Sequence, residues 1–305
     1  MLKKNDMVDV VSIGTPCSFA ENNAIEKYLE NQQLKARFFL EKSLILKKSA
    51  SDEFATIAPK IRFEQLEKAI NSDAKIIWCS RGGYGSAEIL PFLEKMEKPK
   101  RPKIFIGFSD ITSINLFLMQ NWGWHILTAP MLIQTAFDTV SKKSQKAILD
   151  LIFGQTEELT YDLIKLSGKT NEVKAEITGG CVSVIAGNFA TKNQINWADK
   201  ILFLEDEGED GERLDRYFYQ IVSIIRETKI KPKAILLGNF LQGNPHGTPK
   251  AQNIKIAINN LVENLKDIAI YQEKIGCLGH CRDMMPLFLG KKSVIKNNQL
   301  LQKAT

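Results

Sequence analysis

Apolar stretches alternate with amphipathic stretches along the first half of the chain. Runs of apolar residues bounded by polar ones predict strands at residues 8–14, 37–40, 75–79, 103–107 and 125–129. Apolar residues that recur every three or four positions predict helices near residues 24–33, 63–70, 87–93, 110–119 and 143–153. This alternation predicts a parallel sheet with helices on both faces.

The spacing of the pattern changes after residue 162, which indicates a second domain. We predict an α/β protein with an N-terminal Rossmann-like parallel sheet and flanking helices over residues 1–160. A C-terminal mixed α/β domain is predicted over residues 161–305. The length agrees with this division, because 305 residues with 44% hydrophobic content can bury two modest cores.

Charge and cysteine content exclude several classes of function. The net charge is +6, but the lysines are dispersed, and the densest basic stretch, residues 95–103, has the prolines of a surface loop and no aromatic residue. Five scattered cysteines fit a reducing compartment better than a disulfide framework. Residues 1–16 indicate a first strand rather than a signal peptide, and no stretch approaches a transmembrane span. We therefore expect a cytoplasmic protein with no nucleic-acid and no membrane partner.

The first candidate for chemistry is Ser109, which follows the predicted strand 103–107 and precedes a helix. A sharp turn from strand to helix exposes one side chain at its tip and directs backbone N–H groups at whatever that side chain attacks. Ile111 replaces the second glycine of the G-x-S-x-G elbow, so the pattern supports a serine nucleophile but not the α/β-hydrolase fold. The alternative is that Ser109 or Asp110 simply caps the helix.

Other strand ends carry further polar residues. A strand at 76–80 breaks into the glycine-rich turn RGGYGS at residues 81–86. The strand 200–204 ends in Glu205, and residues 275–279 lead as another strand end into His280. The remaining two of the three histidines are weaker candidates for a base: His125 lies in an apolar run that is typical of the core, and His246 is predicted at a loop tip.

Glu205 opens an acidic run that continues to residue 212. A calcium loop starting at Asp206 would need a carboxylate or amide at position 208 and a glutamate at position 217. Gly208 and Tyr217 occupy these positions, so the run does not match a calcium loop. Residues 207–212 are interpreted as a solvated loop before a helix that packs through Leu214, Phe218, Ile221 and Ile225. Glu205 differs because it directly follows a strand, at the sheet edge where α/β proteins bind ligands.

Cysteine offers a rival nucleophile, since Cys79 ends a strand near the glycine turn and two cysteines flank His280. Buried inert cysteine is the commoner case, and no C-x-x-C pair indicates zinc or redox chemistry. Cys277 and Cys281 could bind a metal with His280 on a helix, but Gly276 and Gly279 disfavour a helix there. We therefore expect no metal and no cofactor.

Taken together, the segments resemble the LD-carboxypeptidases, serine peptidases that trim murein peptides and include the microcin-immunity peptidases. The resemblance rests on motifs that follow the family's order: RGGYGS at 81–86, GFSDIT at 107–112, PML at 130–132, GG at 179–180, LFLED at 202–206 and LGH at 278–280. The resemblance implies Ser109 as nucleophile, His280 as general base and Glu205 as the acid that orients it, assembled across the domain interface.

The resemblance also implies oxyanion donors from the backbone N–H of Asp110 and of Gly82 or Gly83. Arg81 and Tyr84 are implied as weaker substrate contacts, the substrate as a murein-derived tetrapeptide that loses a C-terminal D-alanine, and the assembly as a homodimer. Cys181 stands where an asparagine is common, and Cys281 and Arg282 stand where a glycine and a proline are usual. The alternatives are a microcin-immunity-like amide hydrolase and a non-catalytic protein that cradles an anionic ligand on the glycine turn.

Overall fold

The computed structural model describes residues 1–40, 57–241 and 251–304. The chain divides into two compact units, each described by itself below. The first contains Met1–Thr156 and Met285–Leu287, and the second contains Glu157–Met284 and Phe288–Thr305. The return of residues 285–287 to the first unit differs from the sequence-based division, which assigned everything after residue 160 to the C-terminal domain.

The first unit is built on a mostly parallel sheet. Its strands are β1 (Met7–Val11), β2 (Lys35–Phe38), β3 (Ile76–Cys79), β4 (Ile104–Ile106) and β5 (Ile126–Thr128), with β11 (Leu287–Leu289) at the edge beside β5. The order is β11-β5-β4-β3-β1-β2, and the neighbours from β2 to β5 are parallel. All four residues of β3 are buried, as expected of a strand covered on both faces. The predicted parallel sheet is confirmed.

Helices connect these strands. They are α1 (Phe19–Asn31), α2 (Pro59–Asn71), α3 (Leu90–Leu93), α4 (Thr112–Trp122), α5 (Leu132–Ala136) and α6 (Lys142–Ile152). Ser18 caps α1 in a capping box with Glu21, which fixes where that helix begins. The helix predicted near residues 87–93 is instead a 3₁₀ turn, Ser86–Ile89, followed by the single turn of α3, in which Pro91 occupies an early position.

The second unit is a sheet that closes on itself. Its strands are β6 (Glu158–Ser167), β7 (Glu172–Cys181), β8 (Ile201–Glu207), β9 (Ala234–Leu241), β10 (Ala269–Glu273), β12 (Lys292–Lys296) and β13 (Gln299–Lys303). The order around the barrel is β10-β6-β13-β12-β7-β8-β9. Strands β7 to β10 are parallel to their neighbours in that run, and the remaining pairings are antiparallel.

Helices α7 (Val182–Gly187), α8 (Gly211–Thr228) and α9 (Ala251–Asn264) follow β7, β8 and β9. The prediction that the helix after the acidic run packs through four apolar residues is confirmed, since Leu214, Phe218, Ile221 and Ile225 of α8 are all buried. Within the described ranges, no helix combines the length and the apolar composition that a membrane crossing requires.

Two sequence-based expectations are wrong. His125 was expected in the core, but it is exposed, because β5 begins only at Ile126 and the side chain before it points away from the buried face. Residues 275–279 were expected to be a strand end, but β10 ends at Glu273 and Ile275 is 71% exposed. His246 lies outside the described residues.

Candidate active site

Ser109 lies at the point where β4 turns into a helix. The chain passes through Gly107 and Phe108 and enters a 3₁₀ turn, Ser109–Ile111, that leads directly into α4. Ser109 has φ 62°, the left-handed region that a non-glycine residue adopts at a cost of roughly 1–2 kcal/mol. A partly buried serine held in this conformation is presented in the manner of a nucleophile elbow.

The capping alternative does not describe this turn. Neither the 3₁₀ turn nor α4 has a side-chain cap. The carboxylate of Asp110 instead accepts the N–H groups of Gly85 at 3.2 Å and Ser86 at 2.9 Å, at the start of a different 3₁₀ turn. The first hydrogen bond of the serine turn runs from Ile111 N to Phe108 O, so the N–H of Asp110 precedes it and points out of the end of the helix.

The segment 81–86, here called the glycine loop, lies against the serine. A Cβ on Gly82 would lie 3.2 Å from Cβ and 3.4 Å from Oγ of Ser109. Gly83 has φ 90°, and a Cβ there would lie 2.2 Å from Oγ1 of Thr15. Position 83 therefore requires glycine for the turn, while at Gly82 any side chain would press tightly against Ser109.

Hydrogen bonds occupy most of this loop. Thr15 N donates to Gly82 O at 2.9 Å, and Tyr84 N donates to Thr15 Oγ1 at 3.1 Å. With the amides of residues 85 and 86 bound to Asp110, the N–H groups of Gly82 and Gly83 are left without a hydrogen-bond partner in the described part of the chain. The family resemblance implied one of these two amides as an oxyanion donor, together with the N–H of Asp110.

The two predicted substrate contacts have different surroundings. Arg81 donates to Glu21 at 2.6 Å, and Glu21 in turn accepts the N–H of Ser18 in the capping box. The guanidinium is thus tied to the start of α1. Tyr84 at the tip of the glycine loop is 52% exposed, so its ring is accessible to a ligand.

The other two predicted residues meet in the second unit. Glu205 on β8 and His280 are both buried, with relative exposures of 1% and 7%. Nδ1 of His280 lies 2.5 Å from Oε2 of Glu205, and the backbone N–H of His280 donates to the same oxygen at 3.0 Å. Because Nδ1 is bound to the carboxylate, Glu205 fixes the orientation of the imidazole ring.

The electrostatic surroundings favour the charged form of this imidazole. Burial lowers the pKa of His280, but the charge and hydrogen bond of Glu205, with further contributions from Glu207 and Asp206, outweigh burial and raise the pKa above its ordinary value. Glu207 contributes because its Oε2 lies 3.5 Å from Nε2. A carboxylate that stabilises an imidazolium is what a general base needs during acyl transfer.

The acidic run after Glu205 separates into residues with distinct roles. Asp206 is buried and accepts the N–H of Ser183 at 2.7 Å at the start of α7. Asp210 caps α8 through the N–H of Arg213 at 2.8 Å. The predicted loop before the helix spans only residues 208–210, because Glu207 ends β8 and faces His280 and residues 211 and 212 already belong to α8.

Four of the five cysteines lack the environment of a nucleophile. Burial raises the pKa of Cys79 and of Cys181 well above the ordinary thiol value, and raises those of Cys17 to about 11 and Cys281 to about 12. Reactive cysteines have lowered pKa values. No group of three or more histidine, cysteine or carboxylate side chains within the described residues has the arrangement of a metal site.

Three residues near these centres were not singled out from the sequence. Gly14 packs so closely that a Cβ would lie 2.3 Å from Gly82 O, and Thr15 holds the glycine loop. A Cβ on Gly279 would lie 2.7 Å from Oε2 of Glu205. The glycines themselves were visible in the sequence, but their contacts come from residues distant along the chain.

Comparison with known proteins agrees with both halves of the chain. Residues 8–129 match the LD-carboxypeptidase N-terminal domain, and residues 174–295 match the LD-carboxypeptidase C-terminal domain. A "Probable murein peptide carboxypeptidase" of Bacillus subtilis is 26% identical over 302 residues, which cover 96% of this chain and 90% of that protein. The "Murein tetrapeptide carboxypeptidase" of Pseudomonas aeruginosa is 30% identical over 190 residues, 59% of this chain.

The matched stretch spans 60% of the Pseudomonas protein and 60% of a Rickettsia prowazekii relative that is 32% identical over 192 residues. Among solved structures, a protein similar to MccF from Bacillus anthracis has the same fold, with a TM-score of 0.78, 20% identity, and coverage of 99% of this chain and 97% of that one. The two domain matches, one on each half, show that this chain belongs to the LD-carboxypeptidase family.

Proposed function

We propose that this protein is a serine carboxypeptidase that hydrolyses the L,D-peptide bond before the C-terminal D-alanine of murein-derived tetrapeptides. Ser109 is the nucleophile, His280 the general base and Glu205 the acid that orients it. The observation that carries the proposal is the buried pair of Glu205 and His280, in which one carboxylate oxygen binds both Nδ1 and the backbone N–H of the histidine. Such a pair has a clear use in acyl transfer, where it holds the tautomer of the base.

The reaction requires Oγ of Ser109 and Nε2 of His280 to come within hydrogen-bond distance in the working enzyme. Nε2 takes the hydroxyl proton as Oγ attacks the carbonyl carbon, and the oxygen of that carbonyl becomes an oxyanion. The N–H groups of Asp110 and of Gly82 or Gly83 stabilise this charge, each by roughly 3 kcal/mol. When the C–N bond breaks, the imidazolium returns its proton to the leaving amine of D-alanine, and water then hydrolyses the acyl-enzyme in the same way.

The substrate part of the proposal rests on relatives and on the family resemblance. Two relatives are named for murein peptides, one of them for the tetrapeptide. Tyr84 is proposed to contact the peptide because its ring is exposed on the glycine loop, in which Gly82 approaches Ser109. Arg81 is also proposed to contact the peptide, and its ion pair with Glu21 would hold the guanidinium in position. The proposal of a cytoplasmic location rests on the cysteine content of the sequence, and cell fractionation tests it. The proposal of a homodimer rests on the resemblance alone, and light scattering tests it.

The direct experiment is mass spectrometry of a disaccharide-free murein tetrapeptide incubated with the protein. We expect the loss of one D-alanine with wild-type protein and no loss with Ser109→Ala. A tetrapeptide whose C-terminal residue is L-alanine is the stereochemical control and should stay intact. Release of either alanine by the Ser109→Ala variant, or no release by wild type, would contradict the proposal.

A further inference from the structure

We infer that the side chain of Asp110 is a positioning group that holds the glycine loop against Ser109, in addition to the oxyanion role proposed for its backbone. The inference rests on the proposed function, because it assigns the loop amides to transition-state stabilisation. It concerns the carboxylate, which the mechanism above does not use.

Asp110 makes a dense set of contacts with the end of the loop. One carboxylate oxygen accepts Gly85 N at 3.2 Å, the other accepts Ser86 N at 2.9 Å, and the carbonyl oxygen of Asp110 accepts Oγ of Ser86 at 2.5 Å. Two successive amides are thus fixed by one carboxylate that immediately follows the nucleophile in sequence. The residue after the serine therefore sets the position of a loop that arrives from a different strand.

Burial opposes the charged form of the Asp110 carboxylate, and its neighbours compensate in part. Asp110 is buried, and its pKa is raised because burial disfavours the carboxylate, although the N–H groups of residues 85 and 86 and the charge of Arg62 oppose the rise. Arg62 is itself fully buried and donates to Gly85 O at 2.6 Å and Ile13 O at 3.0 Å. Arg62 also donates to Ile57 O at 2.7 Å and forms an ion pair with Glu88.

Close packing couples the position of Asp110 to that of the Gly82 and Gly83 amides, which are proposed as oxyanion donors. A Cβ on Gly14 would lie 2.9 Å from Oδ2 of Asp110 and 2.3 Å from Gly82 O, so these groups already touch through the backbone of Gly14. Gly82 in turn lies against Ser109. Because this packing is tight, a displacement of residues 85 and 86 would also displace Gly82 and Gly83.

Asp110→Asn tests the role of the carboxylate. The amide replaces one acceptor oxygen by an NH₂ group, which would face a backbone N–H and repel it. Since the oxyanion exists only in the transition state, misplaced donors should lower kcat about 10- to 100-fold while KM changes less than about 2-fold. Asp9→Asn is the matched control, because Asp9 is also fully buried in the first unit and accepts from Arg37 at 2.6 Å.

Two readouts separate this inference from the proposed function. One is D-alanine release from the tetrapeptide, and the other is the rate at which a fluorophosphonate labels Ser109, which needs the oxyanion donors but not the peptide. We expect Asp110→Asn to slow both and Asp9→Asn to slow neither in folded protein, as judged by circular dichroism. Labelling of Asp110→Asn at the wild-type rate would overturn the inference.

If wild type is labelled at Ser109 but releases no D-alanine, the proposed substrate fails while the labelling comparison still decides the role of Asp110. If Asp110→Asn does not fold, Asp110→Glu takes its place, because it keeps the charge but moves both acceptor oxygens away from the N–H groups of Gly85 and Ser86. Slower labelling of folded Asp110→Glu supports the inference, and labelling equal to wild type overturns it.

Discussion

Oε2 of Glu205 accepts two hydrogen bonds from His280, one from the ring at 2.5 Å and one from the backbone at 3.0 Å. The carboxylate therefore holds the main chain of the histidine as well as its tautomer. Asn239 holds the other side of the same residue, with its side-chain amide donating to His280 O at 2.7 Å. The ring is oriented although it lies on a loop rather than on a strand.

Gly279→Ala should separate Glu205 from His280. The new Cβ would lie 2.7 Å from Oε2 of Glu205, and φ is +92°. Gly276→Ala is a matched control, since φ is +76° there but the nearest atom is 3.8 Å away. Both variants should lose similar stability from backbone strain, whereas only Gly279→Ala should lose kcat by at least about 100-fold. Equal kcat values in tetrapeptide hydrolysis would contradict this account.

Glu205→Gln should reduce kcat by about 10³- to 10⁴-fold, because an amide can present its NH₂ to Nδ1 and no longer stabilises the imidazolium. Steady-state kinetics on the tetrapeptide measures the effect. Glu176→Gln, which removes a carboxylate paired with Lys200 at 2.9 Å, should leave kcat unchanged. The double variant Glu205→Gln, Ser109→Ala should have a kcat little lower than that of Ser109→Ala alone, since residues of a triad act as a unit. Additive losses would assign them separate roles.

Ser109→Ala should abolish turnover while the protein remains folded. Ser109→Gly should be equally inactive but more stable than Ser109→Ala by up to about 1 kcal/mol, because glycine adopts the left-handed conformation without strain. Urea unfolding monitored by circular dichroism compares the two. A glycine variant clearly less stable than the alanine variant would mean that φ 62° is not a source of strain here.

The acidic limb of the kcat/KM profile should lie above the ordinary histidine pKa, because His280 must be neutral to act as a base and its pKa is raised. Glu207→Gln removes a negative charge 3.5 Å from Nε2, so the limb should move to lower pH. The shift should shrink with added salt, since Glu207 is 54% exposed. A limb that stays in place would show that Glu207 does not act on His280.

The raised pKa of His280 also has a stability consequence. The folded protein favours the protonated ring, so this contribution is fully present below the pKa of an unfolded histidine and is lost as pH rises through the folded-state pKa. Glu205→Gln should remove most of this dependence, because Glu205 is the main group that raises the pKa. Thermal unfolding between pH 5 and pH 9 compares the two proteins.

Prolonged dialysis against EDTA should leave tetrapeptide hydrolysis unchanged, because the proposed electrophilic groups are backbone amides. Elemental analysis of the dialysed protein should find no stoichiometric zinc or calcium. Lost activity that returns with Zn²⁺ would assign His280 to a metal rather than to proton transfer.

Much of the first unit could be predicted from the sequence because its signals are local. Buried strands such as β3 have continuous apolar runs, and glycine or serine directly follows β1, β3 and β4. The same locality placed Ser109 at a strand end and Glu205 on β8. The serine's left-handed φ and the contact of Asp110 with residues 85 and 86 depend on a loop from another strand. Neither could be read from periodicity.

The second unit was harder to predict from the sequence, because its sheet mixes parallel and antiparallel pairs and closes by contacts between distant segments. Strands β12 and β13 alternate buried and exposed residues, but nothing local indicates that they lie between β7 and β6. The sequence identified His280 as a candidate base, but the segment before it was wrongly predicted to be a strand end. The loop before it is held by Glu273, whose carboxylate accepts Ile275 N at 2.8 Å and Cys277 N at 2.6 Å.

The edge strand β11 has a consequence for biosynthesis. Oγ1 of Thr128 donates to Leu287 O at 3.2 Å, a bond between residues 159 positions apart. During translation the β5 edge of the first sheet stays open until β11 has left the ribosome, and contacts of such long range form slowly. A fragment ending near residue 160 would keep that edge unpaired, so it should aggregate rather than fold as an independent domain.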